Sequence, residues 1–272
     1  MALCGPAPGA LMADAIRLDG VGKRFEARHA EGADYDALRG FDLAIGEGEF
    51  FCLLGPTGCG KSTVMHLVAG FEFPTTGLVT VGGKPVPGPG VDRGMVFQSD
   101  LALFPWLTVE QNVAFGLEVA HRPPADARVV VERNLELVGL AAHRGKFPRE
   151  LSGGMKQRLQ IARALATNPA ILLMDEPFAA LDAQTRRRMQ EELGRIWAVS
   201  RKTVLFITHD IGEAIWLADR VGIMTHGPGA RLKEVVDVDL PRPRMHMTPE
   251  FVSLYNSLED SIRAESDAMH HG

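Results

Sequence analysis

Cysteine is scarce in this chain of 272 residues: Cys4, Cys52 and Cys59 are the whole set. An odd, widely spaced group of thiols supports no disulfide framework and has no metal-ligand spacing, so a reducing compartment is the expected setting. Long apolar runs are also missing. The best pieces, FFCLL and AILLM, fall far short of the roughly 18 uninterrupted apolar residues of a membrane-spanning helix, so any membrane role is expected to pass through a partner. There is no excess of positive charge either: the net charge of −5 argues against a broad polyanion-binding surface, and no nucleic-acid partner is expected. The opening MALCGPAPGALMADA has neither a basic n-region nor a long apolar h-region and does not read as a signal peptide; residues 1–13 read as a loose tail. Internal repeats and low-complexity tracts are absent.

The apolar share of 46% can fill a sizeable interior, enough for one large α/β domain or a core with a smaller satellite. Strand-like runs occur at 50–55, 78–83, 94–98, 170–176, 203–209 and 221–225, several too uniformly apolar to be half exposed. Those read as central strands of a largely parallel sheet covered on both faces. Residues 61–69 read as a helix ending at Gly70, and Ser152 offers an N-cap to a helix that stops before Asn168-Pro169 and sets Met155, Leu159, Ala162 and Ala166 on one stripe. Between about 100 and 150 the strand signal fades, and TVEQNVAFGLEVA and DARVVVERNLELVGL, separated by Pro123-Pro124, predict an inserted helical subdomain. After Gly229 come EVVDVDL, then PRPR, then a helix in which Thr248 caps, Pro249 starts, and Phe251, Leu254, Leu258 and Ile262 share a face.

GPTGCGKST, residues 55–63, follows an apolar strand and opens a helix, the context in which this glycine pattern cradles phosphates. Gly55, Gly58 and Gly60 let the loop, which includes Pro56, turn the N–H groups of Thr57, Cys59 and their neighbours inward; Lys61 adds positive charge, and the hydroxyl of Ser62, followed by Thr63, can ligate Mg²⁺. AILLMDEP ends a strand in two carboxylates. Asp175 is the expected Mg²⁺ partner, and Glu176 the group that orients and polarises an attacking water, since phosphoryl transfer needs positioning and charge stabilisation. Gln98, ending GMVFQ, either touches Mg²⁺ or its water or simply ends its strand. His209, ending TVLFITH, can hydrogen-bond a γ-phosphate. Glu176, His209 and Gln98 are the candidate catalytic residues, and Ser62, Gln98 and Asp175 the candidate metal ligands. Cys59, beside Lys61 at a helix start, is expected to have a lowered pKa and to alkylate in a way that ATP slows.

Taken in order, GPTGCGKST, Gln98, LSGGMKQR, ILLMDEP, the AALD after it and His209 resemble the nucleotide-binding subunits of ABC transporters across roughly residues 14–230. The resemblance implies an α/β fold: a RecA-like P-loop NTPase core with an inserted helical subdomain at about 99–157 and a small antiparallel β region. Residues 231–272 would form a C-terminal extension with a short strand and an amphipathic helix. It also implies ATP and Mg²⁺, and a head-to-tail dimer in which Ser152, Gly153 and Gly154 of one copy meet the γ-phosphate in the other copy's phosphate loop. In such a family Asp182 reaches across the same interface, and an aromatic of the first strand, here best matching Phe25, stacks on adenine; Tyr35, in the longer connection that follows, is the second candidate. Ala179 stands where a serine or glycine is common.

The stretches around Gln98 and Ser152, DEPFAALDAQTR and the VDLPRPR tail resemble the ATPase subunits of nitrate, sulfonate and taurine importers, a subgroup that also includes importers of thiamine precursors. Further implied partners are a membrane permease dimer and, indirectly, a solute-binding protein, at the cytoplasmic face of the cell membrane. Leu103, Phe104, Pro105 and Trp106 would line the groove for the permease; local packing of the helical subdomain is the alternative. A soluble ATPase of this type acting on nucleic acid or ribosomes is the rival reading, although a long coiled coil or a second cassette is not present in the sequence. His270 and His271 read as tail residues, with no third ligand apparent.

Overall fold

The computed structural model describes residues 14–26, 34–97, 102–179, 181–244 and 248–270, and two sheets organise them. The first has four strands, β1 (Asp14–Phe25), β2 (Tyr35–Gly46), β4 (Thr76–Val81) and β5 (Lys84–Pro85), in the order β2-β1-β4-β5, all antiparallel. The second has six, β3 (Phe50–Leu54), β6 (Arg93–Val96), β7 (Ile171–Asp175), β8 (Thr203–Ile207), β9 (Arg220–Met224) and β10 (Leu232–Asp237), in the order β10-β9-β3-β8-β7-β6. Its strands run parallel except β10, which pairs antiparallel with β9. Every residue of β3 and β8 is buried, the pattern of strands covered on both faces. With side chains alternating across β3, Phe50, Cys52 and Leu54 enter one core while Phe51 and Leu53 enter the other.

The expected strand at 78–83 exists but belongs to the small antiparallel sheet rather than the central parallel one; Leu78 is exposed there and Val79 buried, the alternation of a sheet wet on one side. Helix α1 (Lys61–Ala69) stops at Gly70, whose φ of +79° takes the left-handed turn that ends the helix. Added bulk there would put a Cβ 2.2 Å from the Gly88 carbonyl. Helices α2 (Val109–Val119), α3 (Pro124–Leu137) and α4 (Gly153–Ala166) stand between β6 and β7 in sequence and pack on one another. Thr108 and Gln111 form a reciprocal capping box on α2, and Pro124 occupies the first position of α3, where its missing N–H costs nothing. Leu159, Ala162 and Ala166 of α4 are buried and Met155 is partly so.

Helices α5 (Ala183–Ser200) and α6 (Ile211–Leu217) cover the same face of the large sheet, and α7 (Pro249–His270) packs on α6. Thr248 accepts the Phe251 N–H at 3.2 Å. Phe251 and Leu258 are buried in the main core with Trp197 and Phe206, so the C-terminal extension shares that core. Leu258→Ala should therefore lower the stability of the whole chain by about 2–5 kcal/mol, read as a shift of the single urea transition; loss of helix signal ahead of an unshifted main transition would contradict it.

Candidate functional site

Strands β3, β8 and β7 are neighbours in that order, all parallel, so the loops leaving their C-terminal ends emerge together at one edge of the sheet. The glycine loop leaves β3, His209 follows β8, and Asp175 and Glu176 end β7. In the loop, Gly60 has φ +96° and a Cβ on it would lie 3.3 Å from the Ala37 carbonyl; a Cβ on Gly55 would lie 2.9 Å from the Cys59 sulfur. Lys61 is buried, and its Nζ donates to the carbonyls of Gly55 at 2.7 Å and Pro56 at 2.9 Å, which holds the ammonium inside the loop. Pro56 and Thr63 are half-buried; Thr57, Gly58 and Ser62 are exposed at the mouth.

The Ser62 hydroxyl acts on the Asp175 carboxylate and favours its charged form. Burial raises the Asp175 pKa, with Ser62 and the charge of Lys61 acting in the opposite direction. A carboxylate and a hydroxyl side by side at the phosphate loop form the all-oxygen donor set that a hard divalent ion takes. Glu176 has a left-handed backbone, φ +42°, strain of about 1–3 kcal/mol for a residue with a side chain. Its N–H donates to the Ile207 carbonyl at 2.9 Å, and its Oε2 sits 3.1 Å from His209 Nδ1. His209 was expected at a γ-phosphate; in the chain itself its ring meets the Glu176 carboxylate, with 62% of the side chain exposed. Gln98 lies outside the described residues.

Ser152 caps α4, its Oγ accepting the Met155 N–H at 3.4 Å, and it and Gly153 are exposed. Gly154 has a reason within the chain: a Cβ there would be 3.0 Å from Thr185 Cγ2, so the start of α4 lies close against the start of α5. Asp182 is the exposed N-cap of α5, accepting the Thr185 N–H at 3.0 Å, a bond that lowers its pKa. Phe25 is partly buried against the second core, with the Lys23 ammonium 4.7 Å from its ring centre. Its cross-strand partner Tyr35 is 43% exposed and donates its hydroxyl to the Gly58 carbonyl at 3.2 Å, so the aromatic in contact with the phosphate loop is Tyr35.

Cys59 corrects an expectation. Its thiol is fully buried against Met224, 3.9 Å away, and burial pushes its pKa up despite the nearby Lys61. Its N–H donates to the Pro56 carbonyl, and its sulfur lies 3.9 Å from the Lys61 ammonium, a contact that burial outweighs. Sequence reasoning also missed the groups behind the histidine: Arg186 lies 3.7 Å from Asp210, and Gln190 donates at 3.0 Å to buried Glu213, whose pKa burial raises. Away from this edge, Leu103 is buried in the main core, while Phe104 stacks on Phe115 with ring centres 4.4 Å apart and carries the Arg163 guanidinium on its face. Trp106 is 70% exposed, and a groove of about 270 Å³ lined by Phe71, Phe97, Phe115 and Arg163 has none of the four expected residues on its wall. Leu103 and Phe104 thus follow the alternative of local packing in the helical subdomain, while Pro105 and Trp106 stay exposed.

A phosphate loop, an acidic strand end and a histidine at the carboxyl edge of a parallel sheet define a RecA-like P-loop NTPase. Residues 38–179 match the family model described as ABC transporter, and the chain belongs to that family as an ABC-type ATPase. It is 48% identical over 231 residues to a nitrate import ATP-binding protein of Synechococcus elongatus, covering 84% of this chain and 83% of that one. It is 45% identical over 251 residues to an ABC transporter ATP-binding protein of Methanocaldococcus jannaschii, covering 91% and 92%. Among solved structures, an ATP-binding cassette captured as a dimer in a post-hydrolysis state with ADP and Pi superposes with a TM-score of 0.69 at 29% identity, over 83% of this chain and 100% of that one.

With its thiol buried and its pKa raised, Cys59 should alkylate with iodoacetamide more slowly in the native chain than in urea, with or without ATP. Fast native labelling that nucleotide suppresses would restore the original expectation.

Proposed function

We propose that the chain is the ATP-hydrolysing subunit of an importer for a small solute, working as a pair of copies beneath a separate membrane permease. The observation that carries the hydrolytic assignment is the Glu176 carboxylate held 3.1 Å from His209 at the edge where the phosphate loop opens. The loop backbone and Lys61 would bind the β- and γ-phosphates of ATP. Glu176 would accept a hydrogen bond from the attacking water and draw on its proton, while His209 holds the carboxylate and turns toward the γ-phosphate. Ser62 and Asp175 would hold Mg²⁺, which when bound supplies positive charge against the phosphate oxygens. Tyr35, whose hydroxyl reaches the Gly58 carbonyl, or its cross-strand partner Phe25 would stack on the nucleotide base.

A single chain leaves the exposed Ser152 helix start without a phosphate of its own to meet. In a head-to-tail pair that start, with its N–H groups and dipole, would cap the γ-phosphate in the other copy's loop, with Asp182 at the same seam. The cassette captured as a dimer supports this arrangement. Nitrate is the favoured solute class on the likeness to the nitrate import subunit, and bicarbonate, another small anion, is the named cargo of a Synechococcus elongatus relative 47% identical over 233 residues, of whose length this chain spans 35%. No helix among the described residues is long and apolar enough to cross a membrane, so attachment at the cytoplasmic face would run through the permease, fed by a solute-binding protein. The exposed Trp106 surface would be offered to that permease.

Glu176→Gln should keep ATP binding, lower kcat by about 10²-fold or more, and run as a dimer on gel filtration with ATP; normal turnover would remove Glu176 from its role. Trp106→Ala should reduce co-purification with a co-expressed partner permease while ATP affinity stays unchanged, and undiminished co-purification would discard the Trp106 surface.

A further inference from the structure

An α-helix leaves its last four carbonyls without partners inside the helix, a burden felt most by a short one. Helix α6 has seven residues and starts directly after His209-Asp210. The Ala214 carbonyl is taken by the Ala218 N–H at 2.9 Å. The next four, on Ile215, Trp216, Leu217 and Ala218, all accept from guanidinium groups of the PRPR stretch. Arg244 Nη1 donates to Ile215 at 2.7 Å, to Trp216 at 3.3 Å and to Ala218, and Arg242 Nη2 donates to Leu217.

Arg244 is 6% exposed, and its other hydrogen bonds also go to carbonyls, those of Val238 at 3.0 Å and Leu240 at 3.2 Å. Burial and the neighbouring Arg242 lower its pKa to about 10, which still leaves it charged at neutral pH. A buried cation at a helix C-terminus meets the negative end of the dipole, so the guanidinium is compensated without a carboxylate of its own. Arg242 is held in turn by Asp219 at 3.0 Å, and Asp219 accepts the Phe50 N–H of β3 at 2.9 Å.

At the other end of α6, Asp210 caps the helix by accepting the Glu213 N–H at 2.9 Å, and the preceding residue is the histidine against Glu176. A helix this short is rigid only if both ends are fixed. We propose that Arg244 is a positioning residue for hydrolysis: by capping the C-terminal carbonyls of α6, it holds the helix whose first turn sets His209 on Glu176. Residue 244 lies well beyond the 38–179 segment that matches the family model. The inference rests on the hydrolytic roles given above to Glu176 and His209.

The test is a double-mutant cycle in the full-length chain, with hydrogen exchange over residues 209–218 as a second readout. Arg244→Met keeps the aliphatic stem and removes the donors; kcat should fall about tenfold while KM for ATP stays within about twofold, and exchange over 209–218 should accelerate. In a His209→Ala background the same change should not lower the residual rate further. Arg244→Lys, with three donors on one ammonium, should recover part of kcat, and it carries the test if Arg244→Met does not fold. A folded Arg244→Met with wild-type kcat, or an equal fall in the His209→Ala background, overturns the proposal while the hydrolytic reading stands. Full turnover in His209→Ala alone overturns that reading and the positioning role with it.

Discussion

In the proposed mechanism Glu176 draws a proton from water beside a triphosphate, and the turn at its backbone aims the carboxylate before the nucleotide arrives. The left-handed backbone there is strained, and it persists because the N–H is bound to the Ile207 carbonyl and the carboxylate to His209. Both tethers come from β8 and the residue pair after it, so strand order in the parallel sheet decides where the acid points. The phosphate loop shares that edge because β3 is the next strand over. Fold and chemistry meet in this adjacency, which no single motif contains.

The same edge explains why the protein's extension belongs to its working core. Chain beyond β10 returns to the C-terminal end of α6, where two arginines take up carbonyls that a short helix cannot satisfy by itself, and then runs into α7, which buries Phe251 and Leu258 with Trp197. Glu265 near the end of α7 accepts the His226 N–H and pairs with Lys233 at 2.9 Å, so the extension also holds the turn after β9. Gly227 of that turn approaches Tyr35 and Gly58 of the phosphate loop. Two routes thus lead from the extension toward the nucleotide edge, one through α6 and one through this turn.

Much of this was legible in the sequence wherever a constraint is local. A glycine-rich turn between an apolar run and a helix, a strand ending in Asp175-Glu176, a serine before two glycines and a threonine before Pro249 each state their geometry within a few residues. Long-range facts were not legible. Strands β1 and β2 are mixed in polarity and their pairing is broken by bulges, so neither shows a clean alternation. The Cys59 thiol is buried against Met224, and that burial outweighs the Lys61 ammonium 3.9 Å from its sulfur, so the sequence neighbourhood pointed to the wrong thiol chemistry. Tyr35 reaches the loop only because β2 pairs with β1, and the two arginines of PRPR look like surface charge until α6 is placed above them.

In the proposed site the strained turn faces one side of the γ-phosphate, and the Ser152 helix start of a second copy would close the other. The most direct measurement mixes two defective chains, Ser152→Glu, whose added charge repels phosphate, and Glu176→Gln. Mixed pairs hold one site with an intact Glu176 and an intact serine, so turnover should rise above the mean of the two chains assayed apart. Turnover equal to that mean, with mixed pairs demonstrated by cross-linking, would contradict a site shared between copies.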